Sequence, residues 1–539
     1  MTMGLRASAL VLALSLSFSA RTSADDGQHA HDSHGKVGTV KFPTSCSPAV
    51  QPRFERAVAM LHSFWYDQAE LAFTQIAQHE PECAMAHWGV AMSLHHPLWS
   101  PATPAEVQRG AAAIARAQAA RHATPRERAY ITALASVYDP ALKSLGDRNQ
   151  AFAMAMEKVS RAYPDDTEAA IFYALALRST AAPTDKSYAV QKQVGRILDP
   201  LYRRQPQHPG LAHYVIHNYD YPELAHLALD AARRYAKVAP AAPHAQHMPS
   251  HIFIRLGLWP DAIRSNRDSA AAGHRNFVES GSQAALAEKL HAMDYLVYGY
   301  LQRGEIAQAT ALWDELRRTN ADWGYFSAYY AAAAIPARVT LETRRWSDAE
   351  SLPEPAFTGG SYWTQVANGI THWARALGAA RNGNVAQARK GIAALETLRS
   401  QLQSAGHTDG EMTVEILVRS AQGWTALAEK KTDVALERLR AAADLEDRTD
   451  KHPVTPGAVL PAREQLADLL LELGRPADAL AEYEASLKTA PNRYNSLRGA
   501  IRAAQAAGQP KAAAKYNALL RKVAPKAEVE RAGQAGAGQ

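Results

Sequence analysis

The chain has 539 residues, 47% hydrophobic and 21% charged, with 10 Trp, 21 Tyr and 11 Phe, a balance that excludes a disordered tail, a collagen-like rod and a coiled-coil rod. Two cysteines are too few for a disulfide scaffold or a four-thiolate zinc site. A formal net charge of +6 over this length gives no ground for expecting a nucleic-acid partner.

Residues 1–24 read as a secretory signal peptide. Arg6 supplies the positive start, Ala7 to Ala20 an apolar stretch, and Thr22-Ser23-Ala24 a small-residue cleavage site. A cut after Ala20 and a retained anchor are the alternatives, the latter disfavoured because the stretch is shorter than the ~20 residues a span needs. No later segment is apolar enough to cross a bilayer, so the expectation is a periplasmic or secreted protein with no membrane span after cleavage. Residues 25–49 carry His29, His31 and His34, either a metal-scavenging tail or a flexible polar leader. Export permits a Cys46–Cys83 disulfide, closing a loop worth ~3–4 kcal/mol by chain entropy. Two free thiols are the alternative.

From residue 50 the pattern is helix–turn–helix. Residues 50–352 form N-terminal repeats with a histidine-rich groove, 353–459 middle repeats, and 460–527 C-terminal repeats before a flexible tail at 528–539. Gly followed five residues later by Ala marks turns at Gly257/Ala262, Gly304/Ala309 and Gly383/Ala388, and again at Gly474/Ala479 and Gly508/Ala513. In the last two units Gly474 and Gly508, and Pro491 and Pro525, stand 34 residues apart. These units resemble the tetratricopeptide repeat, in which Gly permits the tight turn, Ala lets two helices approach, and Pro stops the second helix. The resemblance implies an all-α superhelix (an α-solenoid) of stacked helix hairpins. It also implies a concave groove for a peptide or protein partner or a small substrate. The phrases FPTSC, LHSFWYDQA, CAMAHWG, HPGLAHYVIH and HMPSHIF further resemble a group of exported bacterial tetratricopeptide proteins, and that resemblance implies no reaction.

Of 21 histidines, seven fall between His208 and His251. His213/His217 and His247/His251 are both His-x3-His pairs, and the second lies 34 residues after the first. Residues four apart share a helix face, so two imidazoles there can hold one ion. The tetratricopeptide resemblance places His244, His247 and His251 at groove-facing positions of one repeat, and His291 and Asp294 at those of the next. His213, His217, His244, His247, His251, His291 and Asp294 are therefore the candidate metal ligands, with Tyr214, Tyr298 and Arg255 lining the groove. Imidazoles without thiolates suit a transition metal ion, Cu or Zn first and Fe or Ni next. Pro249 interrupts the second pair and would leave His244 and His247 in a loop if it starts the helix. A metal-free polar groove and ordinary packing histidines are the other readings.

The sequence contains no phosphate-binding loop, nucleophile elbow, His-Glu-x2-His or Cys-x2-Cys. Catalysis would then have to come from an open metal position, with Asp220, Glu223 and Asp294 as acid–base groups. The functional expectation is metal handling or presentation to a partner, with a metalloenzyme or a metal-free partner-binding scaffold as alternatives.

Overall fold

One local rule builds most of the helix hairpins. At each turn a residue with positive φ reverses the chain, and five residues later a buried alanine lets the next helix cross closely. Gly257, Gly304, Gly383, Gly474 and Gly508 obey it, as expected. So do Phe64 (φ 54), Arg344 (φ 59) and Lys430 (φ 63), followed by the buried alanines Ala69, Ala349 and Ala435. Those three turns carry no glycine, and each accepts the cost of roughly 1–2 kcal/mol that the left-handed region imposes on an L side chain.

The computed structural model describes residues 35–525 apart from 99–101, 143, 320–323, 354–356 and 358–361. The signal peptide, His29, His31, His34 and the tail 528–539 lie outside the described residues. Among the described residues the structure is all-α, with hairpins such as Ala462–Glu472/Pro476–Thr489 and Tyr494–Ala506/Pro510–Val523 stacked as a solenoid. No described helix is long and apolar enough to cross a membrane. Cys46 and Cys83 are joined as a disulfide, with Cα atoms 5.0 Å apart.

Residues Lys36–Gln539 make one unit, and distant repeats within it meet. Trp259 Nε1 donates to the Asn492 carbonyl at 2.9 Å. A Cβ on Gly257 would stand 2.5 Å from the Pro491 carbonyl oxygen, so only glycine fits that junction. Arg493 is fully buried between Glu342 (2.6 Å) and Glu464 (2.7 Å).

The irregular segment at 449–461, between the helices Thr432–Asp447 and Ala462–Glu472, is a strap. Lys186 Nζ reaches Asp450 at 2.6 Å. Tyr295 Oη donates to the Pro453 carbonyl at 2.7 Å. The Arg338 guanidinium donates to Thr455 Oγ1 and to the carbonyls of Gly457 and Ala458. The strap is thus tied to the helices Gln283–Gln302 and Phe326–Glu342 through Tyr295 and Arg338.

Candidate metal centre

Three helices carry the histidines: Pro209–Tyr219, the broken pair Pro243–His247 and Pro249–Arg255, and Gln283–Gln302. Pro249 does start a helix, but His244 and His247 are not in a loop. Met248 keeps right-handed helical angles (φ −53, ψ −36), so the two short helices run on from one another. The i, i+4 relation between His247 and His251 survives the proline. The six histidines are buried, none more than 2% exposed.

They form two trios. His213, His217 and His244 bring one ring nitrogen each within 4.8 Å of one another, and so do His247, His251 and His291. Phe64 packs on the rings of His213, His217 and His244, walling the first trio with an aromatic face. His213 Nδ1–H donates to the His62 carbonyl at 2.6 Å, which leaves its Nε2 a bare acceptor. Neither that atom nor His217 Nε2 has a hydrogen-bond partner among the described residues.

In the second trio the hydrogen-bond partners fix both tautomers. Asn266 donates its amide hydrogen to the Ala262 carbonyl at 2.8 Å, so its Oδ1 faces His247 Nδ1 at 2.6 Å and must accept. Asp220 Oδ2 accepts from His251 Nδ1 at 2.9 Å. Both Nε2 atoms are then lone-pair acceptors, and they stand 2.9 Å apart. Moving a proton to His247 Nε2 would set its bare Nδ1 against Asn266 Oδ1. Two imidazole nitrogens each ~2.0–2.1 Å from one ion stand roughly 2.8–3.0 Å apart at the right angle of a tetragonal site and roughly 3.3–3.4 Å apart at the tetrahedral angle of zinc. Ligand histidines held through the other ring nitrogen are the usual support of metal sites.

Burial favours the neutral form of His213, His217, His247, His251 and His291. Burial, reinforced by the neighbouring imidazoles, pushes His213, His217, His247 and His291 well below their ordinary value. Burial takes His251 to about 4 even though Asp220 opposes it. Burial alone would raise Asp220, but Lys451, Arg255 and His251 together hold its carboxyl well below the usual range. Neutral imidazole is the form that binds metal.

A third group, His62, Glu168 and His208, also brings its ligand atoms together. It is already satisfied. Glu168 accepts from His62 Nε2 at 2.9 Å and His208 Nε2 at 2.7 Å, while His62 Nδ1 meets Tyr214 Oη and His208 Nδ1 accepts from the Leu211 amide. Gly210 permits this approach, since a Cβ there would stand 2.7 Å from His62 Nδ1. The network holds the His62 carbonyl under His213.

Asp294 is the exception among the expected ligands. It belongs to neither trio; its Oδ1 accepts from Arg338 Nε at 2.8 Å in a fully buried ion pair, and its Oδ2 has no hydrogen-bond partner among the described residues. A guanidinium is a stronger partner for a buried carboxylate than a neutral imidazole. Tyr298 sits away from the trios, against Trp259 and beneath Arg338 and Arg493. Tyr214 serves His62, and Arg255 binds Asp220 through Nε at 2.8 Å. Sequence reasoning missed Asn266, Glu168, Tyr295 and Lys451. No periodicity marks them, since each meets its partner through the tertiary fold.

No protein-family model and no curated protein matches the sequence. Among solved structures, a monomeric mutant of IFIT1 with Gppp-AAAA has a TM-score of 0.34 at 11% identity, covering 82% of this chain and 90% of its own. The TPR domain of P58(IPK) has a TM-score of 0.20 at 13% identity, covering 86% of this chain and 99% of its own. Similarity at this level says nothing about what the chain does.

Proposed function

We propose that this chain is an exported repeat protein that binds a transition metal ion through its buried histidine cluster, for metal handling or presentation to a partner. The observation that carries the reading is the His247/His251 pair. Their Nε2 lone pairs meet at 2.9 Å while both Nδ1 hydrogens are committed to Asn266 and Asp220. Two facing acceptors repel each other in a buried site, and a cation between them turns the repulsion into binding. An all-imidazole donor set suits Cu or Zn first, then Fe or Ni.

The test is elemental analysis of the mature, untagged protein. About one equivalent or more of a transition metal, lost on His247→Ala with His251→Ala, supports the reading. No binding of Cu, Zn, Fe or Ni overturns it and leaves a helical-repeat scaffold for a protein partner. Export is checked by N-terminal sequencing of the protein from fractionated cells, with a start near Asp25 expected.

A metalloenzyme is the second reading, favoured by the donor count. Three protein ligands per ion leave a coordination position open, as catalytic sites do and structural ones do not. The chain's own contribution would be to fix the rings through Asn266, Asp220 and the His62 carbonyl, and to exclude water with Phe64 and the strap.

A further inference from the structure

We propose that the two histidine trios hold two ions as one paired centre that takes a small bridging anion. This rests on the metal-binding reading and adds number, pairing and ligand class to it. The trios adjoin one another: the His217 and His251 ring centroids are 6.1 Å apart, and those of His244 and His247 6.0 Å. Paired ions in two-metal sites are roughly 3.5–4 Å apart, a separation that ligand rings so spaced accommodate. Each trio has its own ring nitrogens without a committed hydrogen: His213 Nε2, beside the unpartnered His217 Nε2, in one, and the facing His247 and His251 Nε2 in the other.

The charge balance points to the bridging ligand. Neither trio includes a carboxylate, and the one beside the first trio is Glu288, whose Oε2 stands 3.9 Å from His244 Nδ1. The acid nearest the second trio, Asp220, is already shared between Arg255 at 2.8 Å and Lys451 at 3.1 Å. Two divalent cations, together with Arg255 and Lys451, outweigh the carboxylates of Asp220 and Glu288 and would leave the buried chamber positive. Such charge needs a counter-ion inside the site. A small anion such as hydroxide or azide, placed between the ions, supplies it. Asp294 lies outside both trios, and its charge is offset by Arg338.

The experiment loads the full mature chain, stripped of metal, with copper(II) alone, and follows bound copper, the EPR signal, and the change on adding azide. The proposal expects saturation at two equivalents per chain, an EPR intensity well short of two independent spins, and an azide-dependent absorption band. Variant His213→Gln with His217→Gln should then bind one equivalent with an ordinary mononuclear signal. Its helical circular dichroism serves as the folding control. Saturation of the unaltered chain at one equivalent overturns the pairing and leaves the metal-binding reading standing. Two equivalents with two full, independent signals, or no response to azide, overturn the paired, anion-bridged centre. No bound copper overturns the paired, anion-bridged centre, and only a failure to bind zinc, iron and nickel as well overturns the metal-binding reading.

Discussion

His247 and His251 face each other through Nε2 atoms 2.9 Å apart, with Tyr295 Oη 3.4 Å from that of His251, and each ring is anchored from behind, one by Asn266 and the other by Asp220. The anchors fix where the lone pairs point before any ion arrives, so they should be felt in metal affinity although neither contacts the ion.

Asn266→Ala releases the His247 ring while leaving every imidazole in place. Loss of such a support lowers metal affinity by about 10–100-fold. A competition titration against a chelator should show that drop with unchanged stoichiometry and helical content. An unchanged affinity would remove the tautomer argument.

Asp294 and Arg338 form a buried pair outside the trios. Arg338→Met leaves the carboxylate without its partner and releases the strap, costing about 3–5 kcal/mol in urea unfolding. Asp294→Asn should lower stability but keep the full metal complement. A lost equivalent in Asp294→Asn would return that residue to the ligand set.

Glu168 sets an acid limit. Burial would raise its carboxyl, but His208 and His62 bring it from 4.5 to about 2. A depressed carboxyl contributes stability that is present above the unfolded value and lost as pH falls from 4.5 toward about 2. A displacement of that size is worth on the order of 3 kcal/mol. Urea midpoints at pH 7, 4 and 3 should fall steeply in the parent protein and less in Glu168→Gln, which starts lower at pH 7. Parallel pH profiles would sink this account.

The Cys46–Cys83 bond ties the segment before the first helix pair to the Ala84–Ser93 helix. Peptide mapping without reductant should recover the two cysteines in one linked fragment. Cys46→Ser with Cys83→Ser should cost ~3–4 kcal/mol. Two thiols titrating in the unfolded, unreduced protein would show that the bond does not form.

The turns show what was legible in the sequence. Gly257 and Gly304 announced themselves, whereas Phe64, Arg344 and Lys430 adopt the same left-handed backbone without the residue that signals it. Their alanines, Ala69, Ala349 and Ala435, were the better sign, because helix crossing demands a small residue more strictly than the turn demands glycine. The histidine set was legible because repeats copy position: His247 and His251 repeat His213 and His217 after 34 residues, although the fold sorts the two pairs into different trios. The Arg338 partner of Asp294 was not legible, since it comes from the following first helix of the stack. The Asn266, Glu168 and strap contacts span separate elements, and one-dimensional spacing carries no trace of them.

The strap changes how this array comes apart. Repeat arrays ordinarily couple only neighbouring units, so they can fray one hairpin at a time from either end. Here Lys186 is tied to Asp450, Tyr295 to Pro453 and Trp259 to Asn492. These links bind early repeats to late ones as a clasp closes a bracelet. Opening the middle therefore strains both sides of the loop at once, and the chain from Lys186 to Asn492 should unfold as a single cooperative block, with the histidine chamber at its centre.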